Sequence, residues 1–168
     1  NGNTWQALTT GLSNQTVYVS IAFNSQGHIF AGTNGAHIYR STDHGNTWER
    51  VISGLSSAEV WALEVDSEDR IFAGTGNGVC ISNNNGTSWS LAPPTEGNFD
   101  VNDMTKNSEG HIFVTNYYGG IWRTSDHGTT WENVTDPASG QVSWGLTMDS
   151  QDYLYCGAAN GQVYRTTQ

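Results

Sequence analysis

Two carboxylates, Glu64 and Asp103, could flank a glycosidic bond, one protonating the leaving oxygen and the other acting as base. Each departs from the residues at corresponding points of the chain: Ala22 and Thr147 match Glu64, while Ser20, Ala62 and Gly145 match Asp103. The competing reading makes both solvated carboxylates beside a central channel. Aromatic side chains form a second candidate group. Tyr117 and Tyr118 are adjacent, and Trp61 and Trp144 each open a strand-like run, so that flat faces are available for stacking on sugar rings. Trp61 and Trp144 would share a face with Leu63 and Leu146 under strict alternation, and core packing is then the expectation for both. His28 and His111 share one recurring position, His44 and His127 another, and His37 stands alone. Ligands spread over separate units do not converge within a few Å, so no metal site is expected, and no cofactor.

These residues are set in a chain that repeats itself. Ser41-Thr42-Asp43-His44-Gly45-Asn46-Thr47-Trp48 returns as Thr124 to Trp131, in a degraded form as Ser82 to Trp89, and by half as Asn1-Gly2-Asn3-Thr4-Trp5. The tryptophans Trp5, Trp48, Trp89 and Trp131 are 43, 41 and 42 residues apart. Continuing from Gln168 into Asn1 returns to Trp5 after another 42, so the period closes on itself. The motif reads as a hairpin. Asp43, Asn84 and Asp126 can bond backbone amides of their own turns, Gly45, Gly86, Gly128 and Gly2 supply the left-handed residue, and Trp48, Trp89, Trp131 and Trp5 fill space between sheets.

Each repeat holds the same order of segments: a run ending in a polar turn such as Asn24-Ser25-Gln26-Gly27, a run such as His28 to Thr33, a third such as Ile38 to Ser41, then the motif, whose Trp opens a fourth. Four short antiparallel strands in about 42 residues are the unit of a β-propeller blade. The chain is therefore read as one all-β domain over residues 1–168, with blades at 17–52, 60–92, 101–135 and 142–168, the last completed by residues 1–8. Large inward aromatics suit a wide ring, and the expected closure is with a second chain into eight blades, against a self-closed ring of four or a piece of a longer natural or engineered chain.

The pattern Ser/Thr-x-Asp-x-Gly-x-Thr-Trp resembles the Asp-box, or bacterial neuraminidase repeat, of sialidases, sortilin-type receptors, xyloglucan-cleaving glycosidases and many secreted bacterial propellers. The resemblance implies a hairpin between the third and fourth strands of each blade, distant from any active site. Sialidase activity would require three arginines converging on a carboxylate, a Tyr nucleophile with a Glu partner, and an Asp acid. Arg40, Arg123 and Arg165 instead hold one repeat position and are expected to pair with neighbouring blades. The resemblance leaves a fragment of an Asp-box glycoside hydrolase as the enzymatic alternative, resting on Glu64 and Asp103.

Sixteen acidic residues against six basic ones give a net charge of -10, which disfavours nucleic acid and anionic membrane surfaces as partners. No apolar run reaches the roughly 18 residues of a membrane span. No signal peptide precedes Asn1, and the acidity suits a secreted, extracellular or periplasmic setting. Cys80 and Cys156 fall in different repeats and are read as buried free thiols. The loops Thr9 to Thr16, Ser53 to Glu59, Pro93 to Asp100 and Thr135 to Gln141 vary on an unvarying scaffold, which is where a propeller carries recognition. The expected function is thus non-catalytic binding of carbohydrate ahead of protein, through Tyr117, Tyr118, Trp61, Trp144, Asp103 and Glu64. The third possibility is a structural or engineered module without a ligand.

Overall fold

The structure, a computed structural model, describes residues 2, 4–14, 16–92, 99–118, 120–135 and 143–167. Most of the loops at 93–100 and 135–141, and Gln168, lie outside the described residues. The described residues form fifteen strands and no helix. Blade 1 contains β1 (Val17–Phe23), β2 (Ile29–Asn34), β3 (Ile38–Ser41) and β4 (Glu49–Val51). Blade 2 contains β5 (Val60–Val65), β6 (Ile71–Thr75), β7 (Gly78–Ser82) and β8 (Ser90–Leu91). Blade 3 contains β9 (Val101–Lys106), β10 (Ile112–Asn116), β11 (Ile121–Thr124) and β12 (Glu132–Asn133). Blade 4 contains β13 (Ser143–Met148), β14 (Leu154–Ala158) and β15 (Val163–Arg165), so its sheet has three strands among the described residues. Every sheet is an antiparallel meander in chain order, and β1, β5, β9 and β13 line the inner edge of the arc, each packing on the next.

The middle strands are buried on both faces, which explains why His28 to Thr33 and its copies read as continuous apolar or small runs rather than alternating ones. Each junction between blades has its own core. Phe30 and Ile38 of blade 1 meet Leu63, Val65, Ile71 and Trp89 of blade 2. Phe72 and Val79 of blade 2 meet Met104, Ile112, Val114 and Trp131 of blade 3. Phe113 and Ile121 of blade 3 meet Leu146, Leu154 and Cys156 of blade 4, with no tryptophan among them. Small residues let the sheets approach: a Cβ at Gly74 would stand 2.4 Å from Val101 Cγ1. Cys80 and Cys156 are buried free thiols in separate cores.

The recurring hairpin joins the third and fourth strands. In its first copy the Thr47 amide and hydroxyl donate to Asp43 Oδ1 at 2.8 Å and Oδ2 at 2.7 Å, and the Ser41 hydroxyl donates to Oδ1 at 2.8 Å. Ser41 Oγ in turn accepts the Gly45 amide at 2.8 Å, so the loop's amides are satisfied internally. His44 and Gly45 take positive φ, 59° and 87°, where Gly is at ease and His is tolerated. Asp126 repeats these bonds with Thr124 and Thr130, while Asn84 accepts the Ser82 hydroxyl and the Ser88 amide on Oδ1 and donates Nδ2 to the Ser88 hydroxyl at 2.9 Å. Trp89 and Trp131 are buried in the junctions, Trp48 is half-buried, and Trp5 is 93% exposed with residues 4–8 outside any strand.

The arginines of the common position depart from expectation. Arg40 and Arg123 pair with Glu49 and Glu132 on the adjacent strand of their own blades, and Arg165 lies over the ring of Tyr153 at 4.7 Å. Among the described residues, Arg40 also reaches the next blade, donating to the Asn85 carbonyl and to Thr87. Cross-strand neighbours offer a carboxylate at closer range than a neighbouring sheet does.

Candidate functional site

The inner strands share an irregularity that builds the site. The pairing register shifts once near the start of each, between Tyr18 and Ser20, Val60 and Ala62, Val101 and Asp103, and Ser143 and Gly145. The extra residues are Val19, Trp61, Asn102 and Trp144. A bulge sets its extra residue outside the pairing register and re-aims the side chain, so the strict alternation assumed from sequence fails at this point. Leu63 and Leu146 stay in the core at 8% and 9% exposure, whereas Trp144 is 58% exposed. The expectation that Trp144 packs in the core beside Leu146 is therefore corrected.

Trp61, Asn102 and Trp144, with Tyr117 from the β10–β11 turn and Glu59 and Asp100 from the residues just before β5 and β9, line one open cavity of about 330 Å³. That volume is at the small end for ligand clefts and accommodates one or two sugar rings. Tyr117 meets Trp144 edge to face, 5.5 Å between centroids at 79°, and Tyr118 packs on Tyr117 at 5.4 Å and 86°. The Tyr117 amide donates to the Asp100 carbonyl at 2.7 Å, and the Tyr118 amide to Asn116 Oδ1 at 2.7 Å, which fixes the turn that presents the rings. The carboxylates converge. A Cβ built on Gly76 would lie 2.8 Å from Glu59 Oε2 and 3.6 Å from both Asp100 Oδ1 and Ser57 Oγ. No Lys or Arg among the described residues pairs with Glu59 or Asp100, so this rim of the arc is negative.

The sequence-derived carboxylates are placed elsewhere. Glu64 faces Lys106 Nζ at 3.2 Å and accepts the Val65 amide at 3.0 Å, while Lys106 donates to the Val65 carbonyl at 2.6 Å. Asp103 accepts the Met104 amide on Oδ1 at 2.9 Å and the Leu146 amide on Oδ2 at 2.8 Å, tying β9 to β13. Burial pushes the Asp103 carboxyl above the usual range, with the Leu146 and Met104 amides pulling the other way. Both carboxylates are occupied in holding strands together, and neither lines the cavity. Glu59, Asp100 and Asn102 escaped the sequence reading. The signal was present, because Asn102 shares its repeat position with Trp61 and Trp144, and Glu59 and Asp100 share the one before each inner strand.

The hairpins sit at the opposite end of the blades, beside the β1–β2 type turns: Asn24 Nδ2 donates to Asn85 Oδ1 at 2.7 Å, and His127 Nδ1 lies 3.2 Å from Asp66 Oδ2. No group of three His, Cys, Asp or Glu among the described residues is arranged to hold a metal ion.

Residues 1–102 match the DUF6242 beta propeller domain. The chain belongs to that family. No curated protein matches it. Among solved structures, this DUF6242-type chain is similar to an ancestral GH74 enzyme (23% identity, TM-score 0.76, 99% of this chain and 24% of the other). It is similar to the extracellular domain of BT3049 of B. thetaiotaomicron, assigned to a hybrid two component system (19% identity, TM-score 0.77, 98% and 25%). It also matches the computationally designed Ika4 protein (16% identity, TM-score 0.71, 97% and 98%). The chain thus spans about a quarter of the first two and nearly all of the third, and at these identities the likeness establishes the fold alone.

Proposed function

We propose that this chain is a non-catalytic recognition scaffold of the Asp-box kind, and that its ligand is a carbohydrate bound in the cavity of Trp61, Tyr117 and Trp144. The observation that carries this reading is the repeated bulge, which takes two tryptophans out of the core and turns them toward one cleft. Aromatic faces bury the apolar side of a sugar ring, and the Glu59 and Asp100 carboxylates and the Asn102 amide suit its hydroxyls. Two converging carboxylates without a basic partner repel uronic and sialic acids, so neutral or amine-bearing glycans are the expected class. The acidity and an extracellular propeller among the similar structures support a secreted setting.

An array of plant, bacterial and animal glycans tests this. Binding to neutral or amino-sugar glycans is expected, weakened about tenfold or more by Trp144→Ala or Tyr117→Ala. Silence across the array defeats the reading. A second reading, glycoside hydrolysis, is favoured by the convergence of Glu59 and Asp100 on Gly76 rather than by Glu64 and Asp103. Release of reducing ends from xyloglucan that disappears in Glu59→Gln and Asp100→Asn would establish it.

A further inference from the structure

We propose that the cleft is divided into an aromatic half and an anionic half, and that it selects glycans carrying a free sugar amine, whose ammonium sits between Glu59 and Asp100. This rests on the carbohydrate reading above and narrows its ligand to one class.

The division comes from a single difference between two copies of the same turn. The last paired residues at this end of the inner hairpins are Val60 with Thr75 in blade 2 and Val101 with Asn116 in blade 3. The next residue is Gly76 in one and Tyr117 in the other. Each donates its amide to the residue that precedes the inner strand, Gly76 to the Glu59 carbonyl at 3.3 Å and Tyr117 to the Asp100 carbonyl at 2.7 Å. Tyr117 fills its position with a ring set edge to face against Trp144. Gly76 leaves the equivalent space open. The carboxylates of Glu59 and Asp100 and the hydroxyl of Ser57 turn into it, their oxygens 2.8, 3.6 and 3.6 Å from where a Cβ would stand. One position thus supplies a stacking wall and its copy an acid-walled recess, and Glu59 and Asp100 bring that recess to the cavity lined by Trp61, Tyr117 and Trp144.

Donor and acceptor capacity decides what the recess takes. Carboxylates only accept hydrogen bonds, and Ser57 Oγ already accepts the Glu59 amide at 3.2 Å. An ammonium offers three N–H donors, no lone pair and a positive charge. A hydroxyl offers one donor and turns its own lone pairs on the carboxylates, and an acetamide places a carbonyl oxygen there. The protein supplies no cation of its own. Of its six basic side chains, Arg40, Arg70, Lys106 and Arg123 pair with carboxylates outside the cleft, Arg50 bonds the Ala36 carbonyl and His37, and Arg165 covers Tyr153. Charge-assisted bonds beside aromatic walls are stronger than neutral ones, so the amine is the group this recess prefers. The aromatic half takes the apolar face of the ring that carries it.

Calorimetry at pH ~6, below the titration range of an amine of this type, tests the proposal. The probes are β-1,4-linked tetramers of glucosamine, N-acetylglucosamine and glucose, which differ only in the group on carbon 2, with tetralysine as a control for charge alone. The glucosamine tetramer is expected to bind about tenfold or more tighter than each of the other three. Glu59→Gln and Asp100→Asn keep side-chain shape and remove a charge, and each is expected to lower the glucosamine-to-glucose affinity ratio about threefold or more, with β-sheet circular dichroism retained. Equal affinity for the glucose and glucosamine tetramers overturns the selectivity for amines and leaves the carbohydrate reading standing. Tetralysine binding as tightly as the glucosamine tetramer overturns the sugar as the carrier of the amine. Silence from all three saccharides overturns both this proposal and the carbohydrate reading.

Discussion

Asp43 and Asp103 are carboxylates of opposite electrostatic character, and the difference sets how each responds to acid. Hydrogen bonds from the Thr47 hydroxyl and amide, then from Ser41, lower Asp43 to about 2, and Thr130 and Thr124 lower Asp126 in the same way. A folded-state value below the unfolded one means stabilisation that is present above pH ~4 and lost as pH falls toward 2. Asp103 is raised by burial, so its ionised form opposes folding and that penalty lessens as pH falls through its raised value. NMR titration should therefore find Asp43 and Asp126 protonating below the ordinary aspartate range and Asp103 above it; a low value at Asp103 would refute the burial argument. Asp126→Asn should be tolerated, since Asn84 makes equivalent bonds in blade 2, whereas Asp126→Ala should lower stability by about 1 kcal/mol in urea unfolding.

At the scale of the blade, turns clasp neighbouring sheets in an alternating pattern. Asp69 accepts the Ser25 amide and hydroxyl of blade 1 at 2.8 and 2.5 Å, and Asp152 likewise accepts those of Ser108 in blade 3. Between blades 2 and 3 the matching residue is Gly110, and a Cβ there would lie 3.8 Å from Ser67 Oγ. Gly110 has φ 83°, and Asp69 and Asp152 hold φ 61°, so an aspartate is sterically acceptable. Gly110→Asp is expected to stabilise the chain by about 0.5–1 kcal/mol, read as a higher urea midpoint at unchanged m-value. The junction cores respond in the opposite direction. Phe72→Ala, at a residue with no exposure, should cost about 3–5 kcal/mol.

For the whole molecule, the sign of the charge sets the expected behaviour. With a net charge of -10 and two unpaired carboxylates in the cleft, affinity for an amine-bearing oligosaccharide should fall as salt rises from 0.05 to 0.5 M, on the order of the range over which exposed charges become screened. Affinity for a neutral one should stay level, and calorimetry at several salt concentrations separates the two.

The repeat period, the turn chemistry at Asn24 to Gly27 and its copies, and the hairpin built on Asp43 were legible because each depends on residues within a few positions of one another. The placement of Trp144 was not legible, because a one-residue bulge reverses which face a side chain takes and leaves no mark on the apolar pattern. Glu64 and Asp103 looked free in sequence because Lys106 and the Leu146 amide, which occupy them, come from the next blade. Local hydrogen bonding lets sequence determine a propeller blade. Packing between blades, which joins residues some 42 positions apart, decides which of its side chains are left to meet a ligand.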